Sequence, residues 1–468
     1  MKVQTPTVGP IVGGTEATRA RIWIRAEYQK EQNDPRRAFG VIRHRKKGTS
    51  KWSAAQLFKM NPNFDMTGIA ILNDLPARTR CEYQVGYFWS NLDFEDINNK
   101  FKNSDWESAA SGIFRTSSDR DHESRTLAIG SCRYFLKLFG KSFFDQRGDK
   151  TFRSIIRQIE SGNEINQLIM MGDQIYADDL NIIAPDCTIH QFFERYREAF
   201  GQPHLRRLMA NVPTYMMMDD HEIENDWPAK ANHKDWKVLY PAAAHAYQTY
   251  QASHSPLLEI SGNRLVGVPK RWWYQYSDGC CDFFVLDCRT ERWIWDLENR
   301  EKLMIGKEQM KTLKGWLADG SGRAKIIVSS IPFFPDSASE SPDKWSGFPK
   351  QRKEILTHIE SNKISKVVFF SGDVHASFSA QLTSPSGLKI HSVVSSAFFW
   401  PYPHPHERDF KLTGSIDGGA IGSFKITDKT KIISDDNFTR VKVTTTGIST
   451  EIFERKGKKL QGLKKYTW

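Results

Sequence analysis

The chain has 468 residues, 39% hydrophobic and 26% charged, the balance of a globular protein with two to three domains or one large domain and an accessory one. Six scattered cysteines exclude a disulfide scaffold or zinc ribbon, and no run of about eighteen apolar residues offers a membrane-spanning helix. The start "MKVQTPTVGP" lacks the apolar stretch of a signal peptide, so cytoplasmic and exported locations both stay open, while the net charge of +11 favours anionic partners or reflects a solvated basic surface fed by the Lys-rich tail.

Residues 1–117 read as all-β. "ARIWIRA" (20–26) is rich in β-branched and aromatic residues, and "AFGVIRHR" and "MTGIAIL" follow with turn-rich connections. In "LPARTRCEYQVGYF" (75–88), Cys81, Tyr83, Val85 and Tyr87 alternate on one face, as a half-buried strand requires. "GIFRT" (112–116) closes this region, and the polar run "SSDRDHES" (117–124) is the linker candidate.

From 125 onward, strands alternate with helices. The predicted strands are "TLAIGSC" (126–132), "NQLIMMGD", "VPTYMMMDDHE" (212–222), "AKIIVSSIPFF" (324–334) and "KVVFFSGDVH" (366–375), with a hairpin over 271–289. The predicted helices cover 150–161, 189–200 and 242–253, together with "KEQMKTLKGWLA" and "QRKEILTHIES". "SFKIT", "FTRVKVTTT" and "STEIFER" read as closing strands, assigned to the second sheet.

Four of the apolar strands end in polar clusters: "GSCRYF", "GDQIYAD", "DDHEIEND" and "SGDVHAS". Ligands gather at the C-terminal ends of strands in α/β sheets, and buried carboxylates are costly unless paired or metal-bound. If these strands are neighbours, Cys132, Asp173, Tyr176, Asp220, His221, Asp373 and His375 converge on one metal site. Taken singly, each has a plainer reading: Cys132 as a small hydrophobe, Asp173 as a turn cap, Tyr176 as a core ring, "DDHE" as a helix start.

"GDQIY" matches the G-D-x-x-Y motif of the purple-acid-phosphatase-like (calcineurin-like) metallophosphoesterases. "DDHE" stands where those enzymes carry G-N-H-D/E, and "GDVH" where they carry G-H-x-H. The combination resembles the alkaline phosphatase D (PhoD-like) branch over about 125–400. The resemblance implies a four-layer α/β/β/α sandwich over 125–468, a linker at 118–124 and a fibronectin- or immunoglobulin-like β-sandwich over 1–117.

It further implies that Asp173 bridges two metals, that Cys132, Tyr176 and His375 complete the first shell, and that Asp220 and Asp373 join Asp173 at the second. His221 then stands near the leaving group. Asp220 replaces an Asn of the purple phosphatases, Asp373 replaces a His, and "VSSIP" (328–332) lacks the His of their V-x-x-H. A thiolate, a phenolate and an imidazole suit Fe³⁺, whereas carboxylates suit Ca²⁺, Mn²⁺ or Mg²⁺.

The implied activity is hydrolysis of phosphate monoesters or diesters by a metal-activated hydroxide, without a phosphoenzyme. Arg133, beside Cys132, is a candidate phosphoryl clamp, and His221 a candidate proton donor to the leaving oxygen. The alternatives are a phosphodiesterase or phospholipase D-like enzyme acting on cell-wall polymer, lipid or nucleic acid, or an inactive binding protein. No nucleic-acid-binding motif is present, so no stable nucleic-acid complex is expected. "AFFWPYPHPHERD" (397–409) reads as a wall or lid, an unrelated surface loop, or a source of ligands through His404 and His406; Arg289 and Arg292 are anion-contact or structural candidates.

Overall fold

The alternating segments of the first 117 residues pair into two antiparallel sheets in the computed structural model, which describes residues 1–28, 37–93, 96–97, 101, 104–135, 137–138, 141–142, 146–178, 185–295, 297, 301–339 and 343–468. In chain order the strands are β1 (Val8–Thr15), β2 (Ala20–Arg25), β3 (Arg37–Lys46), β4 (Gln56–Lys59), β5 (Thr67–Leu72), β6 (Arg80–Ser90) and β7 (Ala110–Arg115). One sheet has the order β1-β2-β5 and the other β4-β3-β6-β7. Cys81, Tyr83, Val85 and Tyr87 all point inward from β6 and share a core with Val12, Ile22 and Ile24 of the facing sheet. Residues 117–124 form a pinned connector rather than a loose one: Ser117 Oγ donates to Thr15 O at 2.8 Å, and Ser118 N to Asp278 Oδ1 at 2.7 Å.

The remaining chain is mixed α/β. Its strands are β8 (Arg125–Gly130), β9 (Gln167–Met170), β10 (Thr214–Met216), β11 (Tyr274–Asp278), β12 (Cys281–Val285), β13 (Ala324–Ser329), β14 (Val367–Ser371), β15 (Phe378–Thr383), β16 (Lys389–Val394), β17 (Ser415–Asp417), β18 (Ser423–Lys429), β19 (Asn437–Thr444), β20 (Gly447–Glu454) and β21 (Lys459–Thr467). They build a six-stranded sheet, β10-β9-β8-β19-β20-β21, and an eight-stranded sheet, β11-β12-β13-β14-β16-β15-β18-β17. The strands β8, β9 and β10 run parallel, as do β12, β13, β14 and β16. The expected hairpin over 271–289 is the β11/β12 pair. The closing strands divide between the sheets: "SFKIT" joins the eight-stranded sheet, whereas β19, β20 and β21 complete the six-stranded one.

The helices α1 (Gln146–Glu160), α2 (Ile189–Phe200), α3 (Pro203–Met209) and α4 (Tyr240–Tyr250) cover the outer face of the six-stranded sheet. Thr188 starts α2 with a capping box through Gln191, which satisfies otherwise orphaned N–H groups. The helices α5 (Lys307–Leu317) and α6 (Pro349–Ser361) cover the outer face of the eight-stranded sheet. Between the sheets, Leu127, Ile129, Ile169 and Met171 meet Phe283, Val285, Ile326, Val328, Val368 and Phe370. These apolar runs are continuous because both faces of each parallel strand are covered. Among the described residues no helix is long and apolar enough to cross a membrane.

Candidate metal centre

Each predicted ligand cluster follows a parallel strand at the moment the backbone turns. Cys132 (φ 54°), Asp173 (φ 55°), Asp373 (φ 67°) and His375 (φ 51°) all sit in the left-handed region. Non-glycine residues pay roughly 1–3 kcal/mol each for such conformations, which persist where the surroundings over-determine them. The reversals aim the side chains across the C-terminal ends of β8, β9 and β14. The two "GD" glycines allow neighbouring loops to touch. A Cβ on Gly172 would lie 2.4 Å from Asp219 Cβ, and one on Gly372 would lie 2.4 Å from Ser131 Oγ. Glu222, fully buried, ties the loops together by accepting from the backbone N of Asp173 (3.0 Å), Gln174 (2.7 Å) and Asp219 (2.8 Å).

Cys132, Asp173, Tyr176 and His375 form one half of the centre. Cys132 Sγ donates to Asp173 Oδ2 at 3.2 Å, and Tyr176 Oη lies 3.5 Å from both Asp173 Oδ2 and His375 Nε2. Burial pushes the Cys132 thiol and the Tyr176 phenol well above their ordinary values. Burial and then the neighbouring Asp219 and Asp220 push Asp173 well up, while burial depresses His375 to about 3. Without a cation, all four groups therefore favour their neutral forms. Asp173 Oδ1 is buried without a hydrogen-bond partner, an expensive arrangement unless something else satisfies it. This orphaned oxygen, beside a soft thiol, a phenol and an imidazole, fits a transition metal.

Carboxylates make up the other half. Ligand atoms of Asp219, Asp220 and Asp373 lie within 4.8 Å of one another, as do those of Asp173, Asp220 and His221, and those of Asp220, Asp226 and Asp343. Arg289 is 0% exposed, and its guanidinium sits among these acids, bonded to Asp219 and Asp343. Its Nη2 lies 3.4 Å from Asp220 Oδ1 and 3.7 Å from Asp373 Oδ1. Burial works against ionised Asp220, yet Arg289 and His221 hold it below the usual carboxylate range. Lys344 donates to Asp373 Oδ2. Asp220 Oδ1 is buried without a hydrogen bond, and this set of acids fits a hard cation.

His221 is 6% exposed, and its Nδ1 lies 2.9 Å from Asp178 Oδ1. Burial opposes its charge, but Asp220 and Asp178 raise its pKa well above the ordinary value, which favours the protonated ring. The Arg133 expectation is corrected. Its guanidinium donates to Ala199 O (2.9 Å) and Gln174 O (3.2 Å) and lies over the Phe152 and Phe200 rings. It is 1% exposed and serves the packing of α1 and α2 rather than a phosphoryl group. Arg292 is likewise committed, to Asp343 and to Cys288 O.

The 397–409 loop does stand beside the centre. The Trp400 ring stacks on His375 at 3.7 Å, and Tyr402 follows at 5.1 Å, 46% exposed. His404 is no ligand here: Nδ1 bonds to His375 O at 2.7 Å and Nε2 lies 3.5 Å from Asp436. His406 is exposed.

The structure thus brings together Cys132, Asp173, Tyr176, Asp220, His221, Asp373 and His375, and leaves Arg133 outside. Sequence reasoning missed Asp178, Asp219, Glu222, Asp226, Asp343 and Lys344. The first five are acids, and four of those lie inside the quoted "GDQIYAD" and "DDHEIEND" clusters. Asp179, the residue after "GDQIYAD", falls outside the described residues.

Two solved phosphatases share this fold. A PhoD structure superposes with a TM-score of 0.73 at 15% identity, covering 99% of this chain and 92% of that one. The purple acid phosphatase PPD1 of yellow lupin (Lupinus luteus) gives 0.59 at 14% identity, covering 99% and 74%. The family follows from the sequence. The family model described as PhoD-like phosphatase matches residues 128–402, and the chain belongs to that family. Alkaline phosphatase D of Bacillus subtilis (strain 168) is 30% identical over 218 residues, which span 42% of this chain and only 36% of that relative's length.

Proposed function

We propose that the chain hydrolyses phosphate esters as a phosphatase of the alkaline phosphatase D type. The observation that carries this is the contact of Cys132, Asp173, Tyr176 and His375 within 3.5 Å, next to the unpartnered Asp173 Oδ1. In this reading these four residues hold Fe³⁺, and Asp173, Asp220 and Asp373 hold Ca²⁺ (or Mn²⁺ or Mg²⁺). When bound, such a pair neutralises phosphoryl charge and lowers the pKa of water enough to supply a nucleophile. His221, charged and oriented by Asp178, donates a proton to the departing oxygen. Trp400 and Tyr402 wall the site and exclude water on that side. The basic net charge of +11 draws anionic substrates inward.

The architecture in this reading is a four-layer α/β/β/α sandwich over 125–468, supported by its three apolar layers. Residues 1–117 then form an accessory β-sandwich, joined through 118–124. A preference for diesters is the second reading, favoured by the exposed ring of Tyr402, which offers a surface to a second ester substituent. Turnover of a phosphate monoester against its matching diester separates the two.

The deciding experiment is elemental analysis, absorbance and turnover of the metal-loaded protein and two variants. Asp173→Ala is expected to lose metal and activity together. Tyr176→Phe is expected to lose a tyrosinate–iron charge-transfer band. Retained turnover in Asp173→Ala refutes the proposal.

A further inference from the structure

The two halves of the centre differ in a way that the donor residues alone do not disclose. Among the described residues, no Lys or Arg makes a hydrogen bond or ion pair with Cys132, Asp173, Tyr176 or His375. In the carboxylate half, protein cations are already in place. Arg289 bonds to Asp219 and approaches Asp220 and Asp373, and Lys344 bonds to Asp373. Asp343 is shared by Arg289 and Arg292. Asp219, Asp220, Asp343 and Asp373 thus face the fixed positive charges of Arg289, Arg292 and Lys344, so part of the acids' charge is offset before any cation arrives.

Lys344 is also aimed. Trp345, the next residue, is fully buried and donates from Nε1 to Ser329 Oγ at 3.1 Å, and Gly347 N bonds back to Lys344 O at 2.9 Å. Its ammonium lies 3.7 Å from Asp343 as well as on Asp373, and the side chain is 19% exposed. A carboxylate has lone pairs enough to accept from Lys344 and still face a metal, so the ammonium does not block the site. It lowers the site's charge, and charge count is what tunes the affinity of oxygen-ligand sites for Ca²⁺.

We propose that Lys344 is a positioning and charge-compensating residue that keeps the second cation weakly held and exchangeable, while the thiol–phenol–imidazole half keeps its metal through purification. This rests on the two-cation reading above. A site of this kind takes its second cation from the surrounding free concentration, so occupancy follows available Ca²⁺, Mn²⁺ or Mg²⁺.

The test uses the full chain with the first metal loaded, comparing wild type, Lys344→Met and Lys344→Arg by elemental analysis after desalting and by calorimetric titration with Ca²⁺. Wild type and Lys344→Arg are expected to keep about one transition metal per chain and to lose Ca²⁺ on desalting. Lys344→Met is expected to bind Ca²⁺ on the order of tenfold more tightly or better, because a unit charge a few ångströms away has been removed. Ca²⁺ affinity that is unchanged or weaker in Lys344→Met, with the first metal retained, overturns the proposal. So does a wild type that holds Ca²⁺ through desalting. If none of the three proteins takes up any divalent cation while the first metal stays bound, the two-cation reading itself falls, and this inference with it.

Discussion

Removing the guanidinium of Arg289 strands several acids at once. Arg289 is 0% exposed, bonded to Asp219 and Asp343, with Asp220 at 3.4 Å and Asp373 at 3.7 Å. In Arg289→Gln at pH 7 without metal, the cheapest escape for a stranded carboxylate is to take up a proton. For Asp220 or Asp343, each held by Arg289 below the ordinary 3.8, this costs 1.36 kcal/mol per pH unit above that value, or about 4 kcal/mol. That figure agrees with the roughly 3–5 kcal/mol measured when buried ion pairs lose one partner. Because the penalty is a protonation cost, it shrinks as pH falls, to about 1–2 kcal/mol at pH 5. Equilibrium urea unfolding in EDTA at the two pH values reads both numbers. A loss below about 1 kcal/mol at pH 7, or one that stays constant down to pH 5, refutes the charge argument.

Two further outcomes follow from buried groups away from the carboxylates. Arg133→Met is expected to shift KM by less than about twofold while lowering stability, because its contacts are the carbonyls of Ala199 and Gln174; steady-state kinetics on a phosphate monoester, together with a urea melt, checks both. His254 and His391 are buried, and burial depresses each to about 4. The unfolded chain therefore binds their protons first as pH falls. The stability each contributes is complete above pH 6.5 and drains away towards pH 4, by up to about 3 kcal/mol each. The urea midpoint of His254→Gln is expected to fall less than that of wild type between pH 6.5 and 4.5, and equal slopes would contradict the assignment.

The candidate site was legible where an apolar strand ran directly into a polar cluster. "LIMMGD" and "VVFFSGD" mark buried parallel strands by composition, and Asp173 and Asp373 stand just past the ends of those strands. The helix over 189–200 was equally plain and runs over Ile189–Phe200. Arg133 misled because adjacency to Cys132 says nothing about direction. A left-handed residue reverses the chain, and its neighbour's side chain leaves on the opposite side. Lys344 and Asp343 were invisible because they come from a loop with neither period nor motif, brought in by the buried Trp345. The division of the closing strands between two sheets was hidden for a similar reason: alternation identifies a strand but not its partner.

One pairing bears on how the molecule is made. The strand β8, which leads into Cys132, lies between β9 and β19, with Ile129 opposite Thr439, roughly 310 residues later in the chain. At about 5–20 residues per second, a ribosome delivers that partner some 15–60 s after β8 has emerged. Until then the strand nearest the thiol shows an open edge, and open edges recruit other chains. Loss of the last thirty or so residues would thus be felt first in the strand that leads into Cys132.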